Sequence, residues 1–187
     1  MNVYFLYRIM ASISDIKQII VVDKPHGITS MQVIRVLKRI LKPLNITRIG
    51  HAGTLDPFAT GVLVVGIGRT GTRQLGELMD QKKEYECEID LLKKTFSGDM
   101  ENFNPLNDQV DEHSINNILI PGLEQIENLL INKFTGKIKQ IPPCLSAISV
   151  NGKKAYWYVH KNIHIEMNPR YISIYNIEIL KYEFPIL

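Results

Sequence analysis

The sequence predicts an α+β domain, with a mixed, largely antiparallel sheet and flanking helices. Three observations carry that expectation. Two apolar runs of strand length, Ile19-Ile20-Val21-Val22 and Val62-Leu63-Val64-Val65, each lead into turn-forming residues and then into helix-like spacing. Residues 84–92 alternate strictly, with Tyr85, Cys87, Ile89 and Leu91 set between Glu84, Glu86, Glu88 and Asp90. That period places one face of a strand in a core and the other in water, as antiparallel sheets commonly show. With 187 residues, 45% hydrophobic and 22% charged, the chain has the size and composition to bury a core.

Taken in order, residues 1–18 read as an N-terminal extension and residues 19–187 as one domain with no legible internal boundary. Met10 is a second candidate start. Strand 19–22 runs into turn chemistry at Lys24-Pro25-His26-Gly27. Thr29-Ser30-Met31-Gln32 fits a capping box, in which Thr29 and Gln32 satisfy each other's free N–H groups. Val33, Val36, Leu37 and Ile40 follow at helical spacing, with Arg35, Lys38, Arg39 and Lys42 toward the other side until Pro43 ends the helix. Residues 43–61 read as a loop, 62–67 as a buried strand and 84–92 as a half-buried one. Residues 93–120 lack a sustained period and hold Gly98, Pro105 and several Asn and Asp, which suggests an inserted loop or hairpin. A helix is expected over 123–133, strands over 136–141 and 146–150, a short helix over 155–162, and a strand over 171–179.

The net charge of +3 hides a segregation. Residues 1–83 carry 12 basic and 5 acidic side chains, residues 84–127 carry 2 and 11, and residues 128–187 carry 8 and 3. A basic first segment suits a polyanionic partner, because Lys and Arg supply most of the affinity for phosphates. The same runs are also what solvated faces look like. Cys87 and Cys144 stand far apart without a Cys-x-x-Cys, so neither a zinc site nor a disulfide framework is signalled. No stretch approaches the ~20 apolar residues that span a membrane, and the apolar start is too short for a signal peptide. The expected compartment is the cytoplasm.

The densest chemistry lies in Gly50-His51-Ala52-Gly53-Thr54-Leu55-Asp56-Pro57-Phe58-Ala59-Thr60-Gly61. One carboxylate stands among small and turn-forming residues. Pro57 pushes Asp56 out of the helical region and limits where the carboxylate points. An isolated Asp-Pro reads as a turn in which Asp bonds its own backbone. Here the surroundings argue for more. The stretch GHAGTLDPFATGVL resembles the catalytic-aspartate motif of the TruB-type pseudouridine synthases, which isomerise a uridine in the T-arm of tRNA. Val21-Val22-Asp23-Lys24-Pro25-His26-Gly27-Ile28-Thr29-Ser30 is similar to that family's first motif. Gly66-Ile67-Gly68-Arg69-Thr70-Gly71-Thr72, Lys82-Lys83-Glu84-Tyr85, Ile141-Pro142-Pro143-Cys144-Leu145-Ser146-Ala147-Ile148 and Gly152-Lys153-Lys154-Ala155-Tyr156 resemble later ones, in family order.

The resemblance implies a pseudouridine synthase-like catalytic domain whose catalytic residue is Asp56. The reaction breaks the bond between uridine N1 and the ribose and reattaches the sugar at C5. It needs no redox change, and the resemblance implies no cofactor and no metal. A carboxylate can serve it as nucleophile or base, and the sequence leaves that choice open. The target base must be extruded from a folded loop, which calls for an aromatic platform. Tyr85 matches the family tyrosine that stacks on the flipped base, and His51 matches the histidine that helps rearrange the RNA loop. Lys24 and Pro25 match a segment packed beside the active loop and are counted on the substrate-binding side, with structural support as the expected role. Taken alone, Tyr85 reads as core and His51 as a turn residue. The implied partner is tRNA, with no protein partner, and the expected state is a monomer. Family members continue into a Lys-Gly-Thr-Tyr-Ile-Arg-like motif, whose arginine pairs with the aspartate, and often into a small C-terminal RNA-binding domain. The sequence stops at Leu187, so the expectation is a partial catalytic domain lacking both. Arg48, Arg69 and Arg73 do not match the arginine's position.

Two readings compete with catalysis on tRNA. Gly66, Gly68 and Gly71 form a G-x-G-x-x-G after a strand and before a helix, with Asp90 further on, which resembles a dinucleotide-binding fingerprint. The alternation around Asp90 argues against the buried parallel strand that this fingerprint requires. A non-catalytic tRNA-binding or RNA-folding protein of the same family is the other alternative. His160 and His164, four apart, have the spacing of metal ligands on one helix face, but no further ligand is placed beside them. Asp23 and Asp80 have nothing in their spacing to recommend them as a second carboxylate.

Overall fold

Strand β1 (Ile19–Lys24) pairs antiparallel with β3 (Gly61–Ile67), which pairs antiparallel with β2 (Ile49–Ala52), giving a three-stranded sheet of order β1-β3-β2. The computed structural model describes residues 18–95, 109–110 and 120–187. It divides into two units, Met1–Glu84 and Tyr85–Leu187, and the sheet belongs to the first. Ile20 stands opposite Val65, Val22 opposite Leu63 and Ile49 opposite Ile67, so these pairs share one side of the sheet. Helix α1 (Ser30–Leu41) covers that side, and Val33, Ile34 and Leu41 form one buried cluster with Ile49, Leu63, Val65 and Ile67. Each such side chain contributes about 1.5–3 kcal/mol when fully buried.

The capping box at the start of α1 is formed as expected. Gln32 N–H donates to Thr29 Oγ1 at 3.1 Å, and Thr29 N–H donates to Gln32 Oε1 at 2.6 Å. The buried stripe is displaced from the expected one: it runs through Val33, Ile34 and Leu41, while Val36 is only half-buried. Pro43 does not stop the chain abruptly. A 3₁₀ turn follows over Lys42–Leu44, in whose first positions proline's missing N–H costs nothing, and it closes at Asn45 with φ 56°. Within the expected loop 43–61 the structure forms a strand, β2.

Helix α2 (Gly68–Met79) packs on the sheet's other side through glycines. A Cβ on Gly66 would lie 2.6 Å from the backbone carbonyl of Gly71, and one on Gly71 would overlap the carbonyl oxygen of Gln18. These glycines therefore serve close contact between backbones. The dinucleotide reading does not survive, since its fingerprint belongs to a parallel βαβ unit and both pairings here are antiparallel.

The second unit departs from expectation at its start. Residues 82–89 form no strand, and Tyr85 is 72% exposed. Only the end of the segment is paired: Ile89 and Leu187 exchange N–H···O bonds of 2.9 and 3.0 Å, and Leu91 N–H donates to the Pro185 carbonyl at 2.9 Å. Alternation specifies a half-buried strand only where a neighbour supplies a ladder and a face to bury. Among the described residues no strand runs beside 84–88, so both faces meet water. Two short strands, β4 (Lys93–Lys94) and β5 (Gln109–Val110), pair antiparallel in the expected insertion, most of which lies outside the described residues, as does most of the 1–18 extension. Helix α3 (Leu123–Phe134) and strand β6 (Gly136–Gln140) match expectation, and β6 pairs with β9 (Arg170–Ile174), which is shorter than the alternation suggested. The expected strand 146–150 shrinks to β7 (Ser149–Val150), joined to β8 (Lys153–Lys154) by Asn151-Gly152. Both turn residues have positive φ, 48° and 78°, the geometry that an Asn-Gly pair favours in a two-residue hairpin. Helix α4 (Ala155–His160) follows, and His164 lies beyond its end, so His160 and His164 do not share a helix face.

Candidate active site

Asp56 sits in the loop between β2 and β3, and the residues on either side of it are each held by a buried polar side chain. Ser30, in the first turn of α1 and 1% exposed, uses its hydroxyl twice on Leu55. It accepts from Leu55 N–H at 3.0 Å and donates to the Leu55 carbonyl at 3.0 Å. Leu55 also packs against the core cluster below. On the other side, Lys24 ends β1 with its side chain fully buried. Its Nζ donates to the carbonyls of Pro25 at 2.9 Å, Ile28 at 2.7 Å and Pro57 at 3.1 Å. Three acceptors use all three hydrogens of an ammonium, so this cation is compensated by carbonyl dipoles. Gly27 N–H adds a second bond to the Pro57 carbonyl at 2.8 Å.

Between these anchors Asp56 is exposed. Its own carbonyl accepts from Ala59 N–H at 3.1 Å, closing a turn. Its carboxylate has no hydrogen-bond or ion-pair partner among the described residues. The arrangement presents an unshielded acceptor on a backbone that cannot easily drift. Such a group can take a proton, attack an electrophilic carbon, or accept a bond from a bound ligand.

His51 lies in β2 opposite Val65, half-buried, with Nδ1 2.6 Å from the Gly53 carbonyl oxygen. A carbonyl only accepts, so Nδ1 carries a proton and donates to it, which leaves Nε2 as the ring nitrogen free to meet a ligand. The structure thus gathers Lys24, Pro25 and His51 around the Asp56 loop. Lys24 reaches it from inside the fold, where it holds Pro57 and presents nothing to a ligand. Tyr85 is the first residue of the second unit. Ser30 has a contact that the sequence reading does not assign: it stands there as part of a helix start and as the last residue of the stretch resembling the family's first motif, with no tie to Leu55. Arg48, Arg69 and Arg73 are exposed, and none pairs with Asp56.

Residues 38–187, which include this loop, match the family model described as TruB family pseudouridylate synthase (N terminal domain). The chain belongs to that family. It is 41% identical over 169 residues to tRNA pseudouridine synthase B of Chlamydia pneumoniae, covering 90% of this chain and 66% of that protein. It is 42% identical over 174 residues to tRNA pseudouridine synthase B of Protochlamydia amoebophila, covering 93% and 61% respectively. The chain therefore spans less than two thirds of the length of these curated relatives. A solved structure, described as the crystal structure of a Cbf5-Nop10-Gar1 complex, aligns with a TM-score of 0.49 at 25% identity, over 90% of this chain and 36% of that one.

Among the described residues no group of three or more His, Cys, Asp and Glu side chains is placed to hold a metal ion. Cys87 and Cys144 are free thiols. No helix among the described residues is long and apolar enough to cross a membrane.

Proposed function

We propose that the protein isomerises uridine to pseudouridine in the T-arm of tRNA, at the position numbered 55 in tRNA convention, with Asp56 as the catalytic carboxylate. The observation that carries this reading is the loop itself: a family-matched Asp-Pro whose two neighbours are clamped while its carboxylate is left open. Catalysis at a sugar–base junction depends on placing one reactive group to within a fraction of an ångström, and Ser30 and Lys24 supply that placement without touching the substrate. Asp56 then acts on the extruded uridine while N1 leaves C1′ and C5 takes its place. The base rotates without leaving the site, C5 gives up its hydrogen as a proton once bonded to C1′, and N1 ends protonated, so no atom is gained or lost. His51 is proposed to contact the rearranged RNA loop through Nε2, and Tyr85, exposed in this structure, to stack on the flipped base.

Recognition is read as mainly of RNA shape and backbone. The protein is proposed to act as a monomer in the cytoplasm, where its substrate is. Mass spectrometry of tRNA from cells with the gene deleted tests the reading. Loss of pseudouridine at the T-arm site, restored by the gene, is the expected result. Persistence of that pseudouridine with no other modifying enzyme present contradicts it, and RNA binding without isomerisation would leave the non-catalytic alternative. Replacing Tyr85 separates its roles further. Tyr85→Phe should retain most turnover and Tyr85→Ala should lose most of it, because stacking requires the ring more than the hydroxyl.

A further inference from the structure

The outer face of α1 carries four cations that the fold does not use. Arg35, Lys38, Arg39 and Lys42 recur at intervals of three and four residues, which aligns them in one stripe along the helix and onto the turn that follows. All four are exposed, and none has an ion-pair partner among the described residues. The helix itself contains no acidic residue. Arg35 and Arg39, and Lys38 and Lys42, are like-charged pairs four apart, an arrangement that destabilises a helix by a few tenths of a kcal/mol per pair. The helix dipole offsets part of that for the cations near the C-terminal end, but not for Arg35 in the middle. The stripe is therefore a small cost to folding that a polyanion would relieve.

Its position fits that use. The opposite side of α1 is fixed in the core through Val33, Ile34 and Leu41, so the stripe sits on a rigid element. The same helix begins at Ser30, whose hydroxyl holds Leu55 beside Asp56. At 1.5 Å per residue, Arg35 lies about 7 Å along the axis from Ser30 and Lys42 about 18 Å. A backbone leaving the Asp56 loop along α1 would meet a cation at every turn. A membrane surface fits less well, since an interfacial helix needs a free apolar face and that of α1 is consumed by the core.

We infer that this stripe is a phosphate-binding track for RNA, holding sugar–phosphate backbone that leads away from the target uridine. The inference rests on the reading of tRNA as substrate, and it is tested by binding alone. Titration of the purified chain with labelled tRNA at several salt concentrations compares the parent with a variant carrying Arg35→Gln, Lys38→Gln, Arg39→Gln and Lys42→Gln. A control carries Arg69→Gln and Arg73→Gln on α2, across the sheet. Each lost phosphate contact lowers the slope of log K against log salt by about one, so a drop of two to four is expected for the stripe variant, with at most one for the control. The stripe variant should melt no lower than the parent, which a merely structural role would not allow. An unchanged slope, an equal drop in the control, a lowered melting temperature with unchanged slope, or stripe-dependent binding to anionic lipid vesicles in place of tRNA would each overturn the inference. Stripe-dependent tRNA binding without isomerisation would count against catalysis and leave the track standing.

Discussion

Lys24 and Ser30 do for Asp56 what a framework does for any reactive group, and the two should fail differently. Lys24→Met removes the donor to three carbonyls, two of which, Pro25 and Ile28, accept no other hydrogen bond among the described residues, so a loss of about 1–3 kcal/mol in urea unfolding is expected. Ser30→Ala strips Leu55 of one donor and one acceptor at once and should cost about 1–2 kcal/mol. Turnover should fall in both while tRNA affinity changes little, because neither side chain reaches the surface. Equal losses of affinity and turnover would place them on the substrate instead. The resemblance set Lys24 beside the Asp56 loop, but the bonds themselves were not legible, since the partners are backbone groups 25 and 33 residues away and leave no residue-type signature. The turn that carries Asp56 was legible because its own neighbours, Gly53, Pro57 and Gly61, constrain it locally. In the second unit, Asp90 is held below the usual carboxylate range by the hydrogen bond from Lys93, at 2.8 Å, and by Leu92 N–H. Its folded pKa is depressed, so its contribution is present above the unfolded value of about 3.9 and is lost as pH falls through the folded one. The gap between the parent and Asp90→Asn should be less than about 1 kcal/mol at pH 6 and should shrink as the solution is acidified below the unfolded value. A gap that grows on acidification would contradict the assignment.

At the level of elements, helix starts were readable and strand pairings were not. The capping box of α1 is a contact between residues three apart, so its letters suffice. Strand β2 is only four residues long, Ile-Gly-His-Ala, and exists because β3 lies beside it. The 84–92 segment shows the converse, with a clear strand pattern and no neighbour along most of it. Asn151-Gly152 is a hairpin signal carried by two adjacent residues, and the β7–β8 pairing follows from it. The glycines of α2 allow a sharp contrast. Gly71→Ala places a methyl group into the backbone of Gln18 and should cost more than about 3 kcal/mol or prevent folding. Gly76→Ala, on the same helix with nothing within 4 Å, should stabilise by about 0.5–1 kcal/mol. Thermal melting of both variants checks this, and similar effects at the two positions would contradict close packing of α2 on the sheet.

For the whole molecule, the charge segregation in the sequence now has a structural counterpart. The basic first unit carries both the clamped Asp56 loop and the cation stripe of α1, and the acidic stretch begins where the second unit does, at residues 84 and 85. The family match runs through both units, from residue 38 to 187. Mixed α+β character was legible, because it rests on short-range pattern. The exposure of Tyr85 was not, because it depends on what lies beside the chain. The central claim is that Asp56 performs the chemistry on an RNA held by other groups. Asp56→Asn keeps the side chain's shape and removes its charge, so the clamps on Leu55 and Pro57 should stand and tRNA affinity should persist. The decisive measurement is the pseudouridine content of tRNA from cells whose only copy of the gene carries Asp56→Asn. No pseudouridine at the T-arm site, with the variant protein present at normal abundance, is the predicted result; substantial modification at that site would contradict the assignment of Asp56.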